Sequence, residues 1–303
     1  MSPRPLTLLI PLSVIALGGC RTVALNMASD AASGSGSTYA SDDDPELVRE
    51  AAPFGLKTME GLLEKNPRHE GLLTSLASGF TQYAYAFVQL DADVNDLDGR
   101  LEAARAGRDR ARRLLLRARD YGLRGLEVRH QGLREKLMAG GDLGPALAQA
   151  RKEDVPLLYW TASSWALAIS DGKGDMALVA QLPVPVAMME RALALNESWG
   201  EGAIHEFFVS YDATRSAAEG GGADRARQHL ERALALSDGK KLGPRVAYAE
   251  GVLVQAQDRT QFTRALEEVL HADAEAVPRY RLANILAQRR ALALLAHADE
   301  LIL

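Results

Sequence analysis

The stretch DPELVREAAPFGLKTMEGLLEKNP, residues 44–67, decides the fold class of this chain. Asp44 suits the N-cap of a helix, Pro45 its first position and Glu46 the positive end of its dipole. Apolar residues then recur at helical spacing until an Asn-Pro pair ends the run. A second periodic run over residues 72–87 follows a short connection, so the sequence predicts an antiparallel helical hairpin.

The helical pattern continues through the rest of the 303 residues, and no alternating β-pattern of comparable length occurs. A hydrophobic content of 47% and a charged content of 25% are typical of a globular protein. The sequence therefore predicts an all-α domain. Further helices are expected near residues 100–121, 124–138, 154–170, 184–196, 200–215, 223–237, 245–257, 260–271 and 279–302.

Similar segments recur within the predicted helices. Residues 190–195 read ERALAL and return at residues 231–236, while residues 59–66 resemble residues 189–196. These segments look like the second helix of tetratricopeptide-type units, although the shift of 41 residues exceeds that repeat's period of about 34. The prediction for residues 45–303 is a compact α-solenoid of degenerate tetratricopeptide-like hairpins.

The N-terminus has the pattern of a bacterial export signal. Arg4 precedes an apolar run over residues 6–17, which is too short to stay as a membrane-spanning helix. The run ends Leu-Gly-Gly-Cys at Cys20, the only cysteine, and this resembles a lipobox. We therefore expect residues 1–19 to be a lipoprotein signal peptide and Cys20 to carry the lipid; a buried free cysteine is the alternative.

Residues 20–44 are rich in Gly, Ser and Asp and are predicted to form a flexible, lipid-anchored tether. The protein is expected to face the periplasm from a membrane surface. Arg21 follows the lipidated position where an aspartate would favour retention at the inner membrane. By resemblance to the enterobacterial sorting rule, this favours the outer membrane.

Motifs for catalysis are missing from the sequence. His205-Glu206 begins like a zinc-protease helix, but Val209 occupies the place of the second histidine. No phosphate-binding loop, dinucleotide fingerprint or nucleophile elbow occurs. The prediction is a non-enzymatic protein without metal or cofactor, and the net charge of −5 gives no basis for nucleic-acid binding. A hydrolase whose site only the fold assembles is a distant alternative.

Positive charge is concentrated between residues 100 and 136, which hold eleven Arg and one Lys against five acidic residues. The favoured interpretation is a solvated, Arg-rich helix with intrahelical ion pairs. The alternative is a docking face for an acidic partner or for phospholipid headgroups.

An aromatic and polar set is the second non-catalytic feature. Its members are Phe80, Tyr83, Tyr85, Phe87, Tyr159, Trp160, Trp165, Trp199, His205, Phe207, Phe208 and Tyr211. The spacing of Phe80, Tyr83 and Phe87 predicts one buried face, from which Tyr85 points away. Tyr159 and Trp160 are adjacent, so both cannot point inward. We expect most of these rings to lie in the core and some to line a ligand cleft between hairpins.

The sequence resembles the T component of certain TRAP transporters, a family of tetratricopeptide-like periplasmic lipoproteins. The resemblance covers residues 44–303. It is carried by APFGLKTMEGLL at 52–63, ASGFTQYAYAF at 77–87, RARDYGLRGL at 117–126, EDVPLLYWTA at 153–162 and RLANILAQ at 281–288.

The resemblance implies an accessory, non-enzymatic role in TRAP-type solute uptake. It implies a homotrimer that binds the substrate-receptor P component, and a cleft or pore in each protomer that holds a small hydrophobic ligand. A general envelope scaffold that binds an extended peptide or assembly partner is the alternative. The positions that match the cleft are Tyr83, Tyr85, Phe87, Tyr159, Trp160, His205 and Asn284.

Overall fold

The computed structural model describes residues 36–302 and contains, over that range, helices and turns but no β-strand. The predicted all-α fold is confirmed. The predicted signal peptide, Cys20 and the start of the tether lie outside the described residues. The α-helices are α1 Gly36–Ala40, α2 Pro45–Lys65, α3 Glu70–Ala84, α4 Leu90–Leu97, α5 Leu101–Arg129, α6 Leu133–Ala139, α7 Gly144–Ala148, α8 Val155–Asp171, α9 Met176–Val179, α10 Pro183–Leu195, α11 Ala203–Ala213, α12 Ala223–Leu236, α13 Gly243–Tyr248, α14 Arg259–His271, α15 Arg281–Ala296 and α16 Ala298–Leu301.

The first hairpin, α2 and α3, begins and turns where the sequence predicts. The Asp44 carboxylate accepts hydrogen bonds from the backbone N–H groups of Glu46 and Leu47, both at 3.0 Å. A cap of this kind stabilises a helix by about 1 kcal/mol. At the other end, the N–H of Asn66 donates to the carbonyl of Leu62 at 3.1 Å, and the chain turns into α3.

Helix α5 runs unbroken for 29 residues, so the predicted interruption between two helices near residues 122–123 is wrong. Gly122 and Gly125 are both buried where α5 packs against α8. A Cβ atom on Gly122 would collide with Thr161, and one on Gly125 would lie 2.6 Å from Leu157. These glycines allow two helices to approach closely, which offsets their low helix propensity.

The expectation of intrahelical ion pairs in the Arg-rich segment holds only in part. Within α5, Arg112 pairs with Asp109, and Arg119 pairs with the adjacent Asp120. The other ion pairs reach acidic residues outside α5, and those of Arg108, Arg117 and Arg129 fix its position among its neighbours. They join Arg100 to Asp98, Arg108 to Asp93 and Asp96, Arg117 to Glu60, and Arg129 to Glu70 and Asp154.

The two ERALAL segments occupy equivalent places in successive helical pairs. The first lies at the end of α10, which packs on α8, and the second at the end of α12, which packs on α11. Ala192 and Ala233, related by the same shift, are both fully buried. The small side chain at this position therefore permits close packing in both pairs; a tetratricopeptide-like repeat stays a prediction.

One segment in the described part of the chain, Met176–Leu195, has the length and mean hydropathy of a membrane span. It is not one continuous helix, because α9 and α10 are separated by a turn ending at Pro183. Val184, Met188 and Met189 from this segment belong to the main hydrophobic core around Trp165. Its apolar character is therefore accounted for by packing within the domain.

The array of helices closes on itself. In an open solenoid each repeat contacts only its neighbours, whereas α15 here also contacts α1 and α2. Arg289 forms an ion pair with Glu46 at 2.7 Å, and the Arg281 guanidinium donates to the carbonyl of Ser41 at 3.1 Å. The last residues of the predicted tether thus include a helical turn, α1, that lies against the C-terminal helices.

Candidate functional site

Tyr85 lies where a π-helical turn, Tyr85–Gln89, joins α3 to α4. Such turns add a residue to the helix and often occur at functional sites. The Tyr85 side chain is 44% exposed. Its pKa is nevertheless raised, first by burial within surrounding protein and then by the negative charges of Glu250 and Glu206. A partly exposed side chain whose pKa responds to charges on other helices lies in the space where those helices meet.

Charged groups from separate elements border this space. Glu206 comes from α11, Glu250 from a second π-helical turn, Ala249–Leu253, and Arg290 from α15. The Arg290 guanidinium binds Glu250 through Nε at 3.1 Å and also through Nη2. We call the space bordered by Tyr85, Tyr159, Glu206, Lys241 and Arg290 the inner cleft.

Tyr159 and Glu206 bring α8 and α11 to the inner cleft. Burial raises the pKa of Tyr159, and the negative charge of Glu206 raises it further. The pKa of Glu206 is itself raised by burial, against the opposing effect of Lys241. Space for the Glu206 carboxylate depends on Gly243, because a Cβ atom there would collide with Glu206 Oε1.

Lys241 faces the same cleft from the loop before α13. Its ammonium group donates to the carbonyl of Gly200 at 2.5 Å and lies 5.5 Å from the centre of the Tyr280 ring. Burial lowers the pKa of Lys241, while Glu206 and Glu201 oppose this change. The cleft therefore holds an acid and a base whose pKa values are both displaced toward neutrality.

Asn284, a predicted cleft residue, is buried and binds the backbone through both the oxygen and the nitrogen of its amide. Its Oδ1 accepts from the N–H of Leu242 at 3.1 Å, and its Nδ2 donates to the carbonyl of Lys240 at 2.9 Å. Both polar ends of the side chain are occupied by the residues on either side of Lys241. This geometry favours a positioning role for Asn284; direct ligand contact stays a prediction.

Tyr159 and Trp160 belong to a three-ring cluster that Trp199 completes. The Tyr159 ring centre lies 4.9 Å from that of Trp160 and 4.5 Å from that of Trp199. All three side chains are half-buried. Since Trp199 leads directly to Gly200, whose carbonyl binds Lys241, the cluster forms an aromatic wall beside the charged groups.

Tyr83 and Phe87 lie on the opposite side of their helix from Tyr85. Their rings pack against each other at 5.8 Å. The Tyr83 hydroxyl accepts from Arg110 at 3.3 Å, and the Arg49 guanidinium lies 5.1 Å from the centre of the Phe87 ring. These two predicted cleft residues therefore contact α5 and α2 rather than Glu206 or Lys241.

His205 points into a separate buried cluster, although it neighbours Glu206 in sequence. Its Nδ1 lies 2.8 Å from Nδ1 of His229, and its Nε2 lies 3.2 Å from Glu197. The Nε2 atom of His229 lies 3.5 Å from Asp212. Burial lowers the pKa of both histidines, and for His229 the charge of His205 adds to this effect.

The structure thus brings Tyr85, Tyr159 and the adjacent Trp160 to one cleft and places Tyr83, Phe87 and His205 elsewhere. Sequence reasoning missed the charged members of the cleft. They come from widely separated segments, each an ordinary helix or loop in the sequence, so no spacing rule identifies them. Trp199 could have been found, because it belongs to the aromatic set noted in the sequence. The charged residues missed are Glu206, Lys241, Glu250 and Arg290.

Aromatic rings, a carboxyl group and an ammonium group equip this cleft to bind a ligand by apolar contact and hydrogen bonds. Over residues 36–302, no group of three or more His, Cys, Asp or Glu side chains is arranged to hold a metal ion.

Two comparisons with known proteins bear on the family of this chain. A family model described as TRAP transporter T-component matches residues 41–302. An uncharacterized protein of Treponema pallidum (strain Nichols) is 31% identical over 267 residues, which cover 88% of this chain and 82% of that protein. The matched family comprises accessory subunits of TRAP transport associated with the bacterial envelope, and it is not a known enzyme family. The chain belongs to the TRAP transporter T-component family.

Proposed function

We propose that this protein is a periplasm-facing lipoprotein that binds the solute receptor of its TRAP system and holds a small ligand in the inner cleft. The observation that supports the ligand role is the environment of Tyr85. Its side chain is 44% exposed, and charged groups of α4, α11, α15 and the second π-turn lie close enough to change its pKa. A ligand entering this space would exchange water for aromatic surface on several helices at once.

The cleft supports a ligand with both apolar and polar parts. Tyr85 and the wall of Tyr159, Trp160 and Trp199 supply apolar area, as expected for a hydrophobic ligand. Glu206 and Lys241 supply hydrogen-bonding groups at the edge of that wall. The hydrophobic ligand expected from the sequence would therefore bind best if it carried at least one polar group.

Receptor binding, the homotrimer and anchoring through lipidated Cys20 are parts of the proposal that follow from family membership and from the lipobox pattern. In this arrangement the lipid would hold the domain near a membrane, with the outer membrane favoured. Residues before α1 would set the distance from that surface.

Native mass spectrometry of the full-length chain, extracted in mild detergent, tests the proposal. We expect a trimer that gains subunits of the co-encoded solute receptor and retains a small molecule after gentle purification. Tyr85→Ala should reduce the retained ligand severalfold. Phe54→Ala is the matched control, because Phe54 is an aromatic residue 79% exposed on α2, away from the inner cleft.

The outcomes separate the parts of the proposal. A monomer that ignores the receptor and carries no ligand would contradict it and favour a general envelope scaffold. Receptor binding without ligand would restrict the role to bridging. Equal ligand loss in both variants would exclude the inner cleft as the binding place.

A further inference from the structure

The outward face of α5 carries a row of arginine side chains. Arg110, Arg113 and Arg117 are exposed and Arg124 is half-buried, and their spacing of three, four and seven residues places them on one side of the helix. At a rise of about 1.5 Å per residue the row is roughly 21 Å long. We call Arg110, Arg113, Arg117 and Arg124 the arginine stripe.

Most of this positive charge is not neutralised within the molecule. No carboxylate in the range 36–302 forms an ion pair with Arg110, Arg113 or Arg124, whereas Arg117 pairs with Glu60. Arg110 donates to the hydroxyl of Tyr83, and Arg124 donates to a backbone carbonyl at 3.3 Å. The bonds of these two side chains therefore leave their formal charges uncompensated.

Aromatic rings hold three of these guanidinium groups in place. Arg110 lies 5.9 Å from the centre of the Tyr83 ring, and Arg117 lies 5.0 Å from that of Phe80. Arg124 lies 5.4 Å from the Tyr121 ring. Stacking fixes the plane of a guanidinium while leaving N–H groups at its edge, so less side-chain entropy is lost when a carboxylate binds.

A shallow groove of about 410 Å³ lies along the stripe. The single carboxylate in its lining, Asp120, already binds Arg119 at 2.9 Å. Leu116 and Tyr121 add apolar surface to the groove. The surface thus combines cationic groups with a depression that a partner's side chain can enter.

We propose that the arginine stripe is a docking surface for an acidic face of a partner protein, which under the proposed function is the solute receptor. Arginine forks bind carboxylates in pairs of parallel hydrogen bonds, and the stripe presents several in fixed orientation. A membrane surface fits less well. Among the described residues of α5 from Arg105 to Arg124, no large apolar side chain is exposed for insertion into lipid.

The test is a binding titration of the full-length chain, in mild detergent, against the co-encoded receptor. Arg113→Glu/Arg124→Glu should weaken binding by roughly tenfold or more, and the affinity of the unmodified chain should fall as salt rises. Arg227→Glu/Arg264→Glu makes the same change in net charge at exposed positions on α12 and α14 and should leave the affinity within about twofold. Far-ultraviolet circular dichroism confirms that each variant is folded.

The outcomes distinguish this inference from the function on which it rests. If the receptor binds the unmodified chain and the stripe variant equally well, the stripe is not the docking surface, while the transport role stands. If the receptor binds neither, the transport role fails. Parallel titrations with an oligoglutamate peptide and with phosphatidylglycerol vesicles then show whether the stripe binds an acidic protein or a membrane surface. Stripe-dependent peptide binding supports an acidic protein partner, whereas binding of vesicles alone, or of neither probe, overturns it.

Discussion

At the scale of single residues, replacing glycine by alanine should have opposite effects on stability at two helical positions. Gly122 is buried against Thr161, so Gly122→Ala should destabilise the protein by about 1 to 3 kcal/mol through overpacking. Gly61 is an exposed position on α2 with no neighbouring atom near an added Cβ, so Gly61→Ala should stabilise by about 0.5 to 1 kcal/mol. Urea unfolding followed by circular dichroism measures both changes. Equal shifts in the two variants would refute close packing at Gly122.

The His205–His229 pair also acts at this scale, since its 2.8 Å Nδ1 to Nδ1 separation fits one shared proton. Protonation of both Nδ1 atoms would place two N–H groups against each other. Phe208 stacks on His229, while Glu197, Arg232, Asp212 and Arg225 supply the surrounding charges. The pair can therefore accept one positive charge but resists a second, in agreement with the lowered pKa of each histidine.

The stability of the protein should consequently fall as the pH is lowered. The unfolded histidines bind protons near pH 6.5, whereas the folded ones do so only at lower pH. The free energy of unfolding should decrease below about pH 6.5 and level off below the folded pKa values. His229→Asn should reduce this decrease, while His271→Gln, at an exposed position on α14, should not. Urea titrations at pH 7.5 and 5.5 measure the free energy of unfolding of each variant. If it decreases as much in His229→Asn as in the unmodified chain, the explanation is contradicted.

Glu197, the carboxylate beside His205, titrates at lower pH than the unfolded histidines, so its effect on stability can be told apart from theirs. Arg232 holds the pKa of Glu197 at about 2. The stability that ionised Glu197 contributes is fully present above its pKa in the unfolded chain, about 4.3, and is lost as the pH falls toward 2. A decrease in stability between pH 7.5 and 5.5 therefore lies above the pH range in which Glu197 titrates.

At the scale of helices, local sequence signals located most elements and failed where contacts distant in sequence decide. The start of α2 was predictable, because Asp44 and Pro45 act on the next few residues. The continuity of α5 was not, since Gly122 resembles a helix end until its approach to α8 is known. The two π-turns have no periodic signature that separates them from an α-helix, yet they carry Tyr85 and Glu250 to the cleft.

Some features of the candidate site could likewise be predicted from the sequence, and others could not. The aromatic members were recognisable because rings are scarce in this sequence, at 6% of residues. Periodicity separated Tyr85 from Tyr83 and Phe87, but it could not show that Tyr159 and Trp160 meet Trp199 from a distant segment. A cleft whose charged groups come from several elements is defined by the closure of the whole array, which no local pattern encodes.

At the scale of the whole molecule, closure should make unfolding cooperative across the chain. An open solenoid can unfold from one end, because each repeat contacts only its neighbours. Here α15 contacts α1 and α2, so damage to the C-terminal core should also weaken the N-terminal helices. The three tryptophans lie between residues 160 and 199, far in sequence from α15, and report on the central region.

Leu294→Ala tests this coupling, because Leu294 is 2% exposed within the C-terminal core. We expect a loss of about 2 to 5 kcal/mol of stability, with tryptophan fluorescence and circular dichroism shifting to the same lower urea midpoint. Leu292→Ala is the control on the same helix, since Leu292 is 61% exposed and its loss leaves no cavity. A fluorescence midpoint that stays constant while the circular dichroism transition splits would mean that α13 to α16 unfold alone. In that case the contacts of α15 with α1 and α2 would not join the ends of the molecule into one cooperative unit.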